Sequence, residues 1–105
     1  MGRTKIVREL KHRLEQLLRH LIKLEYIDDA YNRAGWLRTV AEQRERIRWL
    51  GEDILPHLDG AWRKAGMRVA EDYDFRKSPF GTHCPLSVDA VLGYENKEGR
   101  KWAKV

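Results

Sequence analysis

The residue types in this chain that do chemistry fall into a few groups. Glu9 and His12 form a Glu-x-x-His pair, the spacing used by carboxylate-bridged di-metal bundles. Such a centre needs two of these pairs and two further inward carboxylates. Here one pair is present, and its members lie off the leucine stripe that surrounds them. They read as surface residues of a helix, and no metal site or cofactor is expected. His20 sits beside that stripe, next to Leu21. A general base needs a proton donor or nucleophile within hydrogen-bond reach, and the sequence offers none. His20 therefore reads as a partly buried histidine bonded to a backbone or side-chain acceptor. His83 and Cys84 are adjacent, so their side chains diverge, whereas a Cys–His catalytic pair is assembled from distant segments. Cys84 reads as a small apolar plug beneath a loop. There is no glycine-rich phosphate loop, serine elbow, Walker motif or nucleotide fingerprint. The expectation is a protein that is not an enzyme.

The densest mixture of aromatic, cationic and apolar residues runs from Trp36 to Asp53. Trp36, Val40, Ile47, Leu50 and Ile54 recur at helical steps and share one face, with Gln43 as a polar interruption. Arg38, Arg44, Arg46 and Arg48 could contact successive phosphates of a nucleic acid. Glu42, Glu45, Glu52 and Asp53 are interleaved and lower the local potential. Glu42 and Arg46 have the spacing of an intrahelical ion pair. Arg44, with Ile47 and Arg48, could equally pack against a carboxylate from another helix. These four arginines are the candidate contacts for a partner or a nucleic acid.

The elements that must position these residues are helices. Val7, Leu10, Leu14, Leu17, Leu21 and Leu24 follow a 3-4-3-4-3 spacing, widened by Leu18 and Ile22, and predict a first helix over 4–31. A break is expected within 28–35, with Asn32 and Gly35 as turn residues. A second helix follows from Trp36 to about Trp49, with Gly51 weakening or capping its end. The short connection predicts an antiparallel hairpin. Asp53 is a candidate cap for a third helix, with Pro56 in its first turn and Leu58, Trp62, Ala65, Val69 and Tyr73 as its apolar stripe. Glu71, Asp72 and Asp74 crowd its C-terminal end, where the dipole disfavours them, so fraying or cations from elsewhere are expected. Pro79, Gly81 and Pro85 exclude a regular helix over 75–86, with Phe75 and Phe80 as tethers. Ser87 caps a short last helix whose buried side is Val88, Val91 and Leu92. The predicted fold is an all-α helical bundle of one domain, 1–93, followed by a polar tail, 94–105, in which Trp102 could pack. The expected core or interface residues are Val7, Leu10, Leu14, Leu17, Leu21, Leu24, Trp36, Val40, Ile47, Leu50 and Trp62.

A chain of 105 residues makes one small domain and buries a modest share of its surface, so completion of its core by a second chain is a live reading. Charged residues at 35 % and hydrophobic residues at 42 % give a globular profile. The net charge of +5 belongs to the first half, where residues 1–48 hold twelve Lys or Arg against seven Asp or Glu. Such a surface attracts nucleic acid, anionic membranes or acidic proteins, or only keeps the protein dissolved. One cysteine makes no internal disulfide. No apolar run has the length of a signal peptide or a membrane span, and Ile6 argues against myristoylation at Gly2. A cytoplasmic location is expected, without membrane contact.

Three runs then carry a likeness: His20-Leu-Ile-Lys-Leu-Glu-Tyr26, Gly35-Trp-Leu-Arg-Thr-Val-Ala-Glu-Gln-Arg-Glu-Arg-Ile47 and Cys84-Pro-Leu-Ser-Val-Asp-Ala-Val-Leu92. With Leu55-Pro-His-Leu58 between them, they resemble the bacterial family called "domain of unknown function 29" over roughly residues 5–93. The resemblance implies an all-helical fold of unassigned activity. It also implies that Trp36, Arg38, Gln43 and Arg44 matter as a group and that Cys84-Pro85 starts the last helix. It supplies no catalytic residues. Family members usually carry an acidic helical segment ahead of the matched part, and this chain begins almost directly with the first matched helix. That departure predicts that a second copy or another helical protein covers the Val7–Leu24 stripe. The leading expectation is a non-enzymatic helical interaction or assembly module, self-associating or completed by a partner. The alternative is a small basic accessory protein that binds nucleic acid within a larger complex.

Overall fold

The computed structural model describes residues 2–75 and 79–94. The helices are α1 (Gly2–Tyr26), α2 (Ala30–Leu50), α3 (Leu58–Asp72) and α4 (Val88–Leu92), with a single 3₁₀ turn at Leu55–His57 ahead of α3. The described residues contain no strand, so the all-α expectation holds. The polar tail and Trp102 lie outside the described residues, apart from Tyr94.

Leucine spacing makes α1 apolar on two sides. Leu10, Leu14, Leu17, Leu18 and Ile22 are wholly buried and Leu21 nearly so. One flank packs on α2 and the other on α3. The stripe predicted to await a second chain is therefore covered from within the chain. Val7 and Leu24, at its two ends, are half-buried.

Cross-contacts give the register. Arg3 meets Glu52, Arg13 meets Gln43, and Arg33 donates to the Leu24 carbonyl, so α1 and α2 form the predicted antiparallel hairpin. Arg19 of α1 meets Asp72 of α3 at 3.7 Å, while the first half of α1 lies beside the start of α3. α3 thus runs parallel to α1, and the bundle is up-down-up.

The helix boundaries differ from the sequence reading for a local reason. The break is Ile27–Asp29, and Asn32 and Gly35 lie inside α2. Asp29 caps α2: its carboxylate accepts from the Asn32 backbone N–H at 3.1 Å and from the Asn32 amide at 2.7 Å. A capping side chain needs its partner N–H within the first turn, which draws Asn32 into the helix. Gly51 ends α2 at φ 69°, as predicted. Asp53 does not cap α3; its carboxylate accepts from Leu55 N–H at 3.1 Å, where the 3₁₀ turn begins.

Of the three carboxylates at the end of α3, Asp72 receives the predicted compensation. Arg19 reaches Asp72, and the chain leaves the helix through Asp74 at φ 62°, with Phe75 N–H donating to the Ala70 carbonyl at 2.8 Å. Phe80 is buried, its ring edge-on to Tyr26 at 4.9 Å and to Phe75 at 5.9 Å. Trp62, wholly buried in α3, donates its indole N–H to the Phe80 carbonyl at 2.8 Å. This bond fastens the loop to the bundle.

Two predictions follow from this packing. Leu14→Ala leaves a cavity where both seams of α1 meet, and should cost about 2–5 kcal/mol in denaturant unfolding; a loss under about 1 kcal/mol would show that the site collapses freely.

His20, half-buried on α1, donates from Nδ1 to the Gln16 carbonyl at 2.8 Å. Desolvation pulls its pKa below the ordinary imidazole value, against the raising effect of that bond, and Lys23 and Arg19 add to the lowering. The unfolded chain therefore binds the proton more tightly than the folded one. Stability from the neutral ring is full above about pH 6.5 and is lost as the pH falls towards the lowered folded value. Thermal melts from about pH 7.5 down to about pH 5.5 should show a falling Tm, with a smaller drop in His20→Asn. An equal drop in both proteins would remove His20 as a cause.

Candidate functional site

α2 presents candidate functional residues towards α4 and on its outward side, which borders a hollow shared with α1. Its core edge is Trp36, Val40 and Ile47, with Leu50 half-buried at the end.

Towards α4, the two arginines of one helical turn do one job. A five-residue helix is too short to hold itself, and its last carbonyls lack intrahelical partners. Arg44 donates from Nε to the Val91 carbonyl at 2.8 Å and from Nη2 to the Ala90 carbonyl at 3.1 Å. Arg48 donates to the Leu92 carbonyl at 2.6 Å, and its guanidinium lies 5.6 Å from the Tyr94 ring. Both cations also sit at the negative end of the α4 dipole. Desolvation, then the charge of Arg48, pull the Arg44 pKa below its usual value; an arginine stays protonated all the same. At the other end Ser87 accepts from Ala90 N–H at 3.0 Å, as predicted. Gly93 closes α4 at φ 88°, where an added Cβ would stand 3.1 Å from Arg44 Cδ and Nε. Arg44 and Arg48 are thus committed to holding α4, and neither is paired with a carboxylate among the described residues.

Arg46 points elsewhere, into a hollow of about 470 Å³ shared with Glu9, Glu42, Glu45, Trp49 and Leu50. The Glu42–Arg46 ion pair expected from spacing is not formed among the described residues. Glu9 is paired instead with Arg13 at 2.8 Å, and Arg13 reaches Gln43 at 3.3 Å. Gln43 is half-buried in this polar link between α1 and α2. Trp49 is 90 % exposed.

His12, one turn on from Glu9 along α1, lines a different hollow, beside α3. The Glu-x-x-His pair is therefore split between two surfaces. Among the described residues no group of three or more His, Cys, Asp or Glu side chains is placed to hold a metal ion.

Cys84 is half-buried, with its thiol 3.7 Å from the Leu86 carbonyl, and desolvation pushes its pKa up to about 11. At neutral pH it is a thiol, and the thiolate is the nucleophile. Its neighbour His83 is turned to Asp59 at 3.0 Å. Asp59 also accepts from Cys84 N–H at 2.9 Å, and these bonds, the backbone one first, hold its carboxyl below the usual range. The cluster secures the loop on the first turn of α3. Lys23 lies 5.6 Å from the Trp36 ring and 6.0 Å from Tyr73, with its pKa lowered chiefly by burial.

Arg38 is exposed on the outward side of α2, with Tyr31, Glu42, Glu45 and Trp49. Tyr31 was not singled out by sequence; a 93 % exposed tyrosine inside a helix looks in the sequence like one more turn residue near a break.

The model of the family described as domain of unknown function DUF29 matches residues 1–95. No curated protein and no solved structure matches the chain.

Removal of the Arg44 guanidinium should free α4 alone. In Arg44→Ala, hydrogen exchange at Val91, Gly93 and Tyr94 should quicken by more than about tenfold, the scale of a charged hydrogen bond, while α1 and α3 keep their protection. Unchanged exchange in α4 would mean that apolar contacts hold it without the arginines.

Proposed function

We propose that this chain, which belongs to the DUF29 family, is a non-enzymatic assembly module that self-associates through the outward side of α2. The observation that carries the reading is a pair of exposed aromatics at the two ends of one helix face. Tyr31 is 93 % and Trp49 is 90 % exposed, whereas Trp36 and Trp62 are buried. Exposed aromatic anchors mark interfaces more often than isolated aliphatics do.

The face between them is self-complementary. Tyr31, Arg38, Glu42, Glu45 and Trp49 are all exposed and follow a 7-4-3-4 spacing, which keeps them on one side of the helix. Tyr31 and Trp49 stand equally far from residue 40 along the helix, and so do Arg38 and Glu42. Two copies crossing antiparallel about a two-fold axis there bring Tyr31 against the partner's Trp49 and Arg38 against the partner's Glu42. A two-fold interface requires that kind of reciprocity. Arg38, Glu42 and Glu45 have no ion pair within the chain among the described residues. α4 and the core edge lie on other sides of α2 and leave this one open.

The module reading accounts for the thin chemistry of the chain. Its cysteine is protonated at neutral pH, His20 and His83 are bonded to a carbonyl and a carboxylate, and no helix among the described residues is long and apolar enough to cross a membrane.

Light scattering on a sizing column is the test. The wild type should elute as a dimer, and Trp49→Ala and Arg38→Glu as monomers. Arg38→Glu combined with Glu42→Arg should restore the dimer, because the swapped charges face one another again. A monomeric wild type, or a dimer indifferent to Arg38→Glu, would overturn the reading.

A further inference from the structure

The strongest concentration of uncommitted charge lies away from α2. Between α1 and the start of α3 is an open groove of about 530 Å³. Arg8, Lys11 and His12 line it from α1, Arg63 and Lys64 from α3, and His57 from the 3₁₀ turn. Its floor is small: Pro56, Gly60 and Ala61. Glu15 is the one carboxylate on its wall. None of Arg8, Lys11, Arg63 and Lys64 has an ion pair among the described residues, while Arg3, Arg13 and Arg19 of the same α1 each have one. Asp59 is near enough to feel Arg63 and offsets part of its charge, but its oxygens bond to Cys84 and His83 and form no ion pair with Arg63.

Four permanent cations converging across a concave surface repel one another and focus a positive field outward. A solvated helix face spreads its charges; this arrangement gathers them from two helices. The wall from Arg8 to Glu15 is about 10 Å long at the α-helical rise. That is longer than one phosphate needs and spans about three phosphates of a nucleic-acid strand. Among the described residues the groove is lined by no Phe, Tyr or Trp ring on which a base could stack and by no Asn or Gln to read a base edge.

We propose that the groove between α1 and α3 binds the phosphate backbone of a nucleic acid without regard to sequence. The contacts come from Arg8, Lys11, Arg63 and Lys64, and not from the arginines of α2, two of which hold α4. Each copy of the chain carries its own groove, so this binding stands or falls separately from self-association through α2.

Gly60 offers a clean probe. A Cβ at Gly60 meets nothing within 4 Å, so a longer side chain enters the groove without disturbing the core. The experiment is fluorescence anisotropy of labelled random-sequence oligonucleotides titrated with the full chain at several salt concentrations. With single-stranded probes and one phosphate met by each of the four cations, the log–log salt slope should be about −3, so that a fourfold rise in salt weakens binding by about sixty-fold. Gly60→Glu should abolish it, with circular dichroism unchanged. Lys11→Ala should weaken it and reduce the slope by about 1, and Arg33→Ala, at an exposed arginine outside the groove, should leave it unaltered. Absence of binding at low salt, binding that survives Gly60→Glu, marked preference for one sequence, or equal competition by tripolyphosphate at matched phosphate concentration would each overturn the proposal. The last outcome would assign the groove to free phosphates.

Discussion

Leucines on α1 face two neighbours at once, and that double seam sets the arrangement of everything else. Leu10, Leu14, Leu17, Leu18, Leu21 and Ile22 cover an arc too wide for contact with one helix. α2 takes one flank and α3 takes the other, and the three-residue break after Tyr26 forces the first of these to be antiparallel. α3 can then reach its flank only after the chain has turned back at Gly51 through the 3₁₀ turn. The buried indole of Trp62 fills the centre, and its N–H reaches out to hold the loop that leads to α4. A cavity anywhere along the α1 seams would therefore be felt by both partners.

The polar residues complete what the apolar seams begin. Helix ends that would leave free carbonyls or amides are met by side chains from other segments or by left-handed turns: Asp29 at the start of α2, Asp74 after α3, and the two arginines on α4. Charges that end up inside this network are bound to structure. Those outside it are concentrated in the α1–α3 groove and on the outward side of α2. The distribution of functional potential is set by which charges the fold consumes.

Much of the bundle was legible in sequence, because period 3.6 survives translation into burial. The leucine stripe, the Gly51 cap, the Ser87 cap, the two phenylalanine tethers and the compensation of Asp72 could be read from local spacing. The first turn of α2 could not, since Asn32 and Gly35 have the composition of a turn and become helical only through the Asp29 cap. The candidate site was less legible. Arg44 and Arg48 read equally as phosphate ligands or packing residues, and their carbonyl partners lie more than forty residues away. The basic groove was invisible for the same reason. Arg8 and Lys11 look like solvated helix charges until α3 brings Arg63 and Lys64 to the other wall.

The close approach of Gly93 to Arg44 ties two distant positions together. Gly93 is needed for its φ of 88° and also because the Arg44 side chain occupies the space that a Cβ would fill. A methyl group at 93 would press on the Arg44 side chain, which would have to give by a few tenths of an ångström. A shorter residue at 44 would relieve that contact and leave only the left-handed φ to favour glycine. Drift at these two sites is therefore coupled. Among relatives, the arginine and the glycine should be inherited or lost together, giving a covarying pair that connects the second helix to the last.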